Sequence, residues 1–423
     1  MARAVEEAGA AGVITASNGT RERWLSIIGI GESGRDGLSP AANQLIDNAA
    51  LIVGGARHLS LVGEVRGETL TWSTPFRDTV PRILNRVGEP VCVLASGDPF
   101  WFGAGATLAE YVSPSDILVL PAPSTFSLAA ARLRWPLQEV TTLGLHAQRP
   151  EALLRHLHHG QRILALSLDG ATPEQAASLL QRYGFGNSIF HVLEALGGPR
   201  ETSTQKLAKD IGNQVFGPLN IIAIEVKAEH DARSISLAPG LPDSYFEHDG
   251  QITKREIRAM TVSALRPAPG ELLWDIGLGS GSVAIEWLLS HASMRACGFE
   301  KSPERAARAA RNAVALGVPH LEIWEGLALA SLKGAPVPDA IFIGGGPGDA
   351  GLLSAAWDAL KPGGRIVCNA VTFDGQSRLV ECRASLGGSL TRINIEREHT
   401  VGNHTAWQPA MPVLQWAAVK PWP

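Results

Sequence analysis

Short apolar runs alternate with amphipathic stretches along nearly the whole chain, at the spacing of strands and helices. In the first half, the runs 24–30, 91–95, 117–120, 162–167, 188–194 and 220–226 predict strands. Helices are predicted near 40–49, 78–87, 104–111, 125–132, 150–158, 173–182 and 201–212. Two of them begin around Pro150 and Pro173, a residue suited to the first helical turn. Val, Ile and Leu runs alternating with helices imply an α/β domain with a largely parallel sheet. A polar stretch then breaks the pattern: Glu229-His230-Asp231-Ala232-Arg233-Ser234, followed by Pro239-Gly240-Leu241-Pro242. A second α/β pattern follows, with strands predicted at 272–275, 295–299, 321–324, 339–343 and 364–369. Two late runs, near 389–396 and 412–419, have no helix between them and predict a sheet that ends in an antiparallel hairpin. The expected organisation is a disordered extension over 1–23, a domain over 24–227, a linker over 228–240 and a second domain over 241–423.

Composition supports two buried cores: 423 residues exceed one ordinary core, and 45% are hydrophobic against 18% charged. No apolar run approaches the ~18–20 residues of a membrane helix. The first 23 residues carry Glu6 and Glu7 but no apolar centre, so they do not read as a signal peptide, and a cytoplasmic location is expected. The net charge of −4 hides no basic half, with 20 basic against 23 acidic residues before residue 241 and 17 against 18 from there on. That balance argues against a nucleic-acid partner. Cys92, Cys297, Cys368 and Cys382 are isolated in sequence, which fits reduced thiols better than a disulfide or zinc framework. His156, His158 and His159 read as a solvated helix end ahead of Gly160, and no metal site is expected.

Two glycine-rich loops carry the chemistry. The later one follows an apolar strand: Asp275-Ile276-Gly277-Leu278-Gly279-Ser280-Gly281. Glycines there let the backbone approach a ligand, and the helix opening at Ser282 offers unpaired N–H groups. Both a nicotinamide dinucleotide and S-adenosylmethionine are bound in this way, and two details favour the second. A carboxylate at Asp275 would repel a pyrophosphate but suits the ammonium of a methionine moiety. Glu300, at the end of the next strand, can accept hydrogen bonds from both ribose hydroxyls.

With Gly250-Gln251-Ile252-Thr253-Lys254-Arg255-Glu256-Ile257-Arg258, Glu300-Lys301-Ser302-Pro303-Glu304 and Ile343-Gly344-Gly345-Gly346, this half resembles the precorrin C15-methyltransferase (decarboxylating) family from about Leu241 onward. The resemblance implies a class I Rossmann-like methyltransferase fold, with S-adenosylmethionine contacts from Thr253, Gly277, Gly279, Gly281 and Glu300. Gly326-Leu327-Ala328 departs from the family's Gly-Asp-Ala, so the expected contacts at that strand end are those of the Gly326 and Ala328 backbone. Gly344-Gly345-Gly346-Pro347 stands where amino-methylating nucleic-acid enzymes carry Asn/Asp-Pro-Pro-aromatic, and glycines there leave room for a large flat macrocycle. Lys254, Arg255 and Arg258, beside Thr253, are candidates for pairing with substrate carboxylates, the rival reading being a solvated helix face.

The earlier loop, Gly29-Ile30-Gly31-Glu32-Ser33-Gly34, fits a dinucleotide pattern, but Arg35-Asp36-Gly37-Leu38-Ser39-Pro40 prolongs the loop where a helix should open. Gly97-Asp98-Pro99 follows a later strand and predicts a sharp bend, with Trp101 and Phe102 beside it as lining or as core. Together with Gly54-Gly55-Ala56-Arg57-His58-Leu59, Pro121-Ala122-Pro123-Ser124-Thr125-Phe126-Ser127, Leu196-Gly197-Gly198-Pro199-Arg200-Glu201 and Pro218-Leu219-Asn220, residues 24–227 resemble the tetrapyrrole methylase family. That resemblance implies a two-subdomain class III fold that holds S-adenosylmethionine in a folded shape, with contacts from Gly29, Gly31, Gly97, Asp98, Pro99, Ser124, Thr125 and Leu219. Leu145-His146-Ala147-Gln148-Arg149 departs from the family's Leu-His-Gly-Arg.

Taken together, the halves resemble the precorrin-6Y C5,15-methyltransferase (decarboxylating) family. The resemblance implies two S-adenosylmethionine sites, methylation of C5 and C15 of a reduced tetrapyrrole, loss of carbon dioxide from its ring-C acetate, and a homo-oligomer. Methyl transfer from a sulfonium needs alignment and exclusion of water more than a strong base, and no catalytic residue is assigned. Two alternatives stand beside this reading: a class I RNA or tRNA methyltransferase, and a fusion in which one domain is an inactive scaffold.

Overall fold

The structure is a computed structural model and describes residues 23–344 and 350–423, without the side chains of Ala328 and Ala350. Of the expected segments, the N-terminal extension (through residue 22) and the glycine loop from Gly345 lie outside the described residues. The chain divides into two compact units, one running up to Arg134 and including Ala195–Thr202, the other comprising Trp135–Glu194 and Ser203–Pro423.

In the first unit, strands β1 (Leu25–Ile30), β2 (Leu51–Gly54), β3 (Glu68–Thr71), β4 (Val91–Ser96) and β5 (Ile117–Leu120) form one sheet in the order β3-β2-β4-β1-β5, every pair parallel. All six residues of β1 are buried, as a central parallel strand covered on both faces requires. Leu25 and Ile27 pack with Val53 and Val93 on one face, while Ile28 and Ile30 pack with Ile46, Ile52 and Leu94 on the other. Because every strand runs the same way, their carboxyl ends share one edge. Register sets Ile30 level with Ser96 and Ile28 level with Leu120, so the loops after β1, β4 and β5 emerge together. Such an edge is where open α/β sheets bind ligands.

The second unit holds a five-stranded and a seven-stranded sheet. Strands β6 (Val140–Gly144), β7 (Arg162–Leu166), β8 (Ile189–Glu194), β9 (Thr202–Leu207) and β10 (Asn220–Glu225) are ordered β6-β7-β10-β8-β9. This sheet is mixed: β10 runs antiparallel to both β7 and β8, so the expectation of a largely parallel first half holds only for the first unit. The helix predicted over 201–212 is also corrected, since Thr202–Leu207 is a strand. Its Thr-Ser-Thr start favours an extended backbone, and its mostly exposed side chains match an edge position.

Strands β11 (Leu272–Ile276), β12 (Arg295–Glu300), β13 (Glu322–Glu325), β14 (Ala340–Ile343), β15 (Arg365–Ala370), β16 (Ser389–Ile393) and β19 (Val413–Val419) form the third sheet, ordered β13-β12-β11-β14-β15-β19-β16. The late strands pair antiparallel as expected, β19 lying between β15 and β16. Between them the chain makes an unexpected two-stranded ribbon, β17 (Glu396–Val401) with β18 (His404–Pro409), exposed at every position.

The stretch expected to be a linker is packed down within the second unit. The Arg233 guanidinium lies 4.4 Å from the Tyr245 ring centre, Glu229 accepts a hydrogen bond from the Asn187 N–H, and Ile235 and Leu241 are buried. Leu153, Leu154 and Leu157 share one core with Trp287, Leu288 and Leu316, and Arg155 Nη2 donates to the Leu289 carbonyl at 3.1 Å. Among the described residues, no helix is long and apolar enough to cross a membrane.

Candidate methyl-donor sites

In the first unit, Gly29 is a packing requirement. A Cβ there would sit 1.8 Å from the Gly97 carbonyl oxygen and 2.6 Å from the Ala122 nitrogen, so the three strand ends close up only around a glycine. Gly97 bends as the sequence predicts, with φ +53°, and its carbonyl accepts from the Ala122 N–H at 3.1 Å. Asp98 Oδ1 accepts from the Phe100 N–H at 2.9 Å and Pro99 O from the Gly105 N–H at 2.9 Å, which fixes the turn. Ser124 caps the helix Thr125–Leu133 through the Ser127 N–H. Gly31 faces open space instead, the nearest atom to a Cβ there being Ser33 Oγ at 3.9 Å. Gly29, Gly31, Gly97, Asp98, Pro99, Ser124 and Thr125 therefore meet at one sheet edge, whereas Leu219, half exposed before β10, belongs to the second unit. Trp101 and Phe102 are partly exposed and pack on buried Phe126, with ring centres 5.1 Å and 6.1 Å away.

A polar group at the same edge has no role in the sequence reading. Arg57 Nη1 pairs with Glu32 Oε1, Arg57 Nη2 lies 2.7 Å from Ser96 Oγ, and His58 Nε2 lies 2.8 Å from that oxygen. Burial and then the Arg57 charge push the His58 pKa down to about 4. The segment 54–59 appears in sequence only as a family signature, because nothing local says that it will meet Ser96 across the sheet.

In the second unit, β11 delivers Asp275 into the core, 1% exposed. Its Oδ2 accepts from the Ala284 N–H at 3.0 Å, while its Oδ1 is buried with no partner among the described residues. Burial raises the Asp275 pKa to about 7; the Ala284 N–H works against this shift and the Glu300 carboxylate adds to it. Glu300 is buried as well, Oε2 accepting from the Gly279 N–H at 2.8 Å and Oε1 from the Ser302 N–H at 3.0 Å. Each of its oxygens keeps a second lone pair for ribose hydroxyls. Gly281, at φ +78°, opens the helix Ser282–Ser290 where a Cβ would press on Ala309 and Ile285. An orphaned buried acceptor beside two oriented acceptors fits the ammonium and diol of S-adenosylmethionine.

Asn312 was not singled out from sequence, yet it is 2% exposed and ties the site together. Its Nδ2 donates to the Ser280 and Glu247 carbonyls at 2.9 Å, and its Oδ1 accepts from the Glu247 N–H at 2.8 Å. Asp249 accepts from the Gln251 N–H and pairs with Arg305 and Arg308, anchoring the Gly250–Thr253 segment; these partners hold its pKa near 2.

Arg258 is a correction. It is fully buried, donating to Glu286 at 2.6 Å, to the Thr253 carbonyl at 2.6 Å, to Asp243 at 3.1 Å and to the Leu241 carbonyl, with its guanidinium 4.7 Å from the Phe246 ring centre. Glu286 also accepts from the Gly240 and Leu241 N–H groups, so the cluster is a closed clamp that offers no donor to a substrate. Lys254, paired with Asp243 at 3.7 Å, and Arg255 remain partly or fully exposed.

Gly326 carries φ +130° and donates to the Glu300 carbonyl at 2.9 Å, which places Gly326-Leu327-Ala328 beside the Glu300 strand end. Leu327 itself is 72% exposed. Gly344 closes β14, its N–H donating to the Ile276 carbonyl, and its neighbour Gly345 lies outside the described residues.

Two family models match the chain: Tetrapyrrole (Corrin/Porphyrin) Methylases over residues 25–212 and Precorrin methyltransferase domain over 244–420. A precorrin-6Y C(5,15)-methyltransferase (decarboxylating) from Sinorhizobium sp is 52% identical over 398 residues, covering 94% of this chain and 96% of that protein. A protein of the same name from Mycobacterium tuberculosis (strain ATCC 25618 / H37Rv) is 37% identical over 401 residues, 94% of this chain and 100% of that one. Among solved structures, the C-terminal domain of precorrin-6Y C5,15-methyltransferase from Rhodobacter capsulatus is 43% identical, covering 44% of this chain and 100% of that chain with a TM-score of 0.42. On full-length identity and on both matched halves, the chain belongs to the precorrin-6Y C5,15-methyltransferase (decarboxylating) family.

Proposed function

We propose that the protein is a bifunctional S-adenosylmethionine-dependent methyltransferase that methylates C5 and C15 of precorrin-6Y and removes carbon dioxide from its ring-C acetate, giving precorrin-8. Residues 24–227 carry the C5 methylation, and residues 241–423 carry the C15 methylation and the decarboxylation. The observation that supports this most directly is one chain holding two unlike glycine-built sheet edges, together with relatives of that name along its full length.

When bound, S-adenosylmethionine would supply an electrophilic sulfonium methyl group for an electron-rich ring carbon, its sulfur retaining the bonding pair. In the second half, Asp275 Oδ1 receives the ammonium, Glu300 the ribose hydroxyls, and Gly277, Gly279 and Gly281 admit the ligand close to the backbone. Gly326 and Ala328 add backbone contacts, Thr253 closes the site from the Gly250–Thr253 segment, and Lys254 and Arg255 face the substrate carboxylates with Gly344 leaving room for the ring. In the first half, Gly31, Gly97, Asp98, Pro99, Ser124 and Thr125 hold the donor, while Gly29 lets the strand ends meet. Holding donor and acceptor in line supplies much of the catalysis.

Incubation with precorrin-6Y and isotopically labelled S-adenosylmethionine, followed by mass spectrometry, tests the function. The expected product has gained two methyl groups and lost one carbon dioxide. A product with one methyl group, or none, would sink the bifunctional reading.

A further inference from the structure

The turn that follows β4 leaves an apolar face at the carboxyl edge of the first unit's sheet. Phe100, Trp101 and Phe102 come directly after Pro99 and are 48%, 38% and 51% exposed. Among the described residues of this unit, the other large hydrophobic side chains in water are Val87 and Tyr111. Val87 leads into β4 and Tyr111 into β5, so both lie on the amino side of the sheet. Three adjacent aromatic side chains kept in water at the ligand-binding edge run against the hydrophobic effect, and such a patch marks a contact surface.

The backbone beneath this face is strained. Among the described non-glycine residues with positive φ, Arg134 and Arg266 end helices, where a left-handed residue is ordinary. Phe102, with φ +58°, instead precedes one, the helix Ala104–Leu108. A bulky side chain in that conformation persists only where its surroundings fix it, and such strain gathers at ligand sites. Here the turn is pinned from both sides. The Trp101 N–H donates to the Asp98 carbonyl at 3.1 Å, and the Gly105 N–H to the Pro99 carbonyl at 2.9 Å. Gly103 packs so closely that a Cβ would fall 2.4 Å from the same Pro99 oxygen, and one on Gly105 would meet the Phe100 ring at 3.0 Å. Phe126, 1% exposed in the helix after β5, supports the rings from the sheet side. Trp101 stacks on it at 5.1 Å with 29° between the planes, and Phe102 lies 6.1 Å away.

We propose that Phe100, Trp101 and Phe102 form a platform for one face of the tetrapyrrole in the C5 half, the strained backbone of Phe102 holding its ring on that face. The proposal rests on the function given above and deepens it. Asp98 and Pro99 belong to the donor edge and run directly into the platform. In-line transfer brings the accepting ring carbon into contact with the donor's methyl group. A macrocycle, far broader than one side chain, must then lie across the surface that borders the donor. That surface is aromatic, which suits the ring face and lets the carboxylates at its periphery reach water. Hydrophobic and dispersion contact with rings already held in place supplies binding at little cost in side-chain freedom.

The full-length chain and its Trp101→Ala, Trp101→Phe and Phe102→Gly variants are assayed by mass spectrometry over a range of precorrin-6Y concentrations at saturating S-adenosylmethionine. Carbon dioxide loss and the second half's methylation are the internal control. Trp101→Ala is expected to raise KM for the first half's methylation about tenfold, with kcat within about twofold, the effect of losing most of one aromatic contact. Trp101→Phe keeps a ring and should raise KM only about twofold. Phe102→Gly removes the ring and the strain together, so it should raise KM about fivefold while lowering the melting temperature little. S-adenosylmethionine affinity of the first half, read by calorimetric titration, should stay unchanged in all three. An unchanged KM in Trp101→Ala and Phe102→Gly would overturn the platform. If the melting temperature falls in both while KM holds, the rings are core packing. If KM holds while light scattering shows a smaller particle, the face belongs to a second copy of the chain. Failure of the functional reading looks different, because then the wild type itself adds fewer than two methyl groups.

Discussion

Asp275 shows how one buried atom links stability to binding. Its carboxyl has an ordinary pKa of 3.8 unfolded and about 7 in the fold, so between those values the folded chain holds a proton that the unfolded chain has released. Stability from this group therefore falls as pH rises from about 4 towards 7, and the full cost is present above 7. An amide keeps the shape without the charge. Asp275→Asn should raise the melting temperature of the ligand-free protein above pH 7, flatten that pH dependence, and weaken S-adenosylmethionine binding in the second half about tenfold or more. Calorimetry at pH 5 and pH 8 checks both effects, and an unchanged affinity would show that Oδ1 does not meet the ammonium. Arg258 is the contrasting residue. With Glu286 also buried, Arg258→Ala strands a charge and should cost about 3–5 kcal/mol, measured by chemical denaturation, and Arg258→Lys should rescue little because a single ammonium cannot span those acceptors. Asp275 and Glu300 were legible because they flank a glycine loop at a telling spacing. The Arg258 clamp was not, since its main partner Glu286 lies on another helix and sequence shows a charge but not its burial.

At the scale of the element, the strand ends of the first unit close only if their inner residues lack side chains. Gly29 has no positive φ, so its requirement is purely steric: the Gly97 carbonyl occupies the place of a Cβ. Gly29→Ala must push β1 away from β4 and β5, costing about 1–3 kcal/mol or more. It should abolish C5 methylation while C15 methylation and carbon dioxide loss continue, a split that mass spectrometry reads directly; retention of both methylations would show that the edge tolerates the shift. Long buried strands such as β1, β4 and β11 were legible as apolar runs. β2 and β3 were not: β2 is squeezed between the helices Pro40–Asn48 and Ala56–Val62 and merges with their pattern, β3 buries only Leu70, and half-exposed β6 lacks an apolar run altogether. The ribbon β17–β18 was missed for another reason: with every side chain exposed, it leaves no alternation to see.

For the molecule as a whole, the question is whether both halves bind the donor or one is a scaffold. The compact units do not coincide with the family segments, since the first family model spans 25–212 while residues 135–194 cluster with the C-terminal sheet. The reason is the continuous core around Leu153, Leu157 and Trp287, which follows from folding and not from local pattern. Gly29 and Asp275 nevertheless sit in different units, so substitutions there should act independently. Calorimetric titration of the full-length chain with S-adenosylmethionine should give two sites per chain. Asp275→Asn should weaken one and leave the other, Gly29→Ala should remove the complementary one, and the double variant should lose the strong heat of both. If the wild type titrates with one site, and one of the two substitutions leaves it untouched, then the half carrying that substitution holds no donor. Leu327, exposed where the family carries an acid, makes the second half the place to look first. A weak second-half site that Asp275→Asn nevertheless weakens further would still count as a site, because an inactive scaffold has no ammonium for that carboxylate to hold.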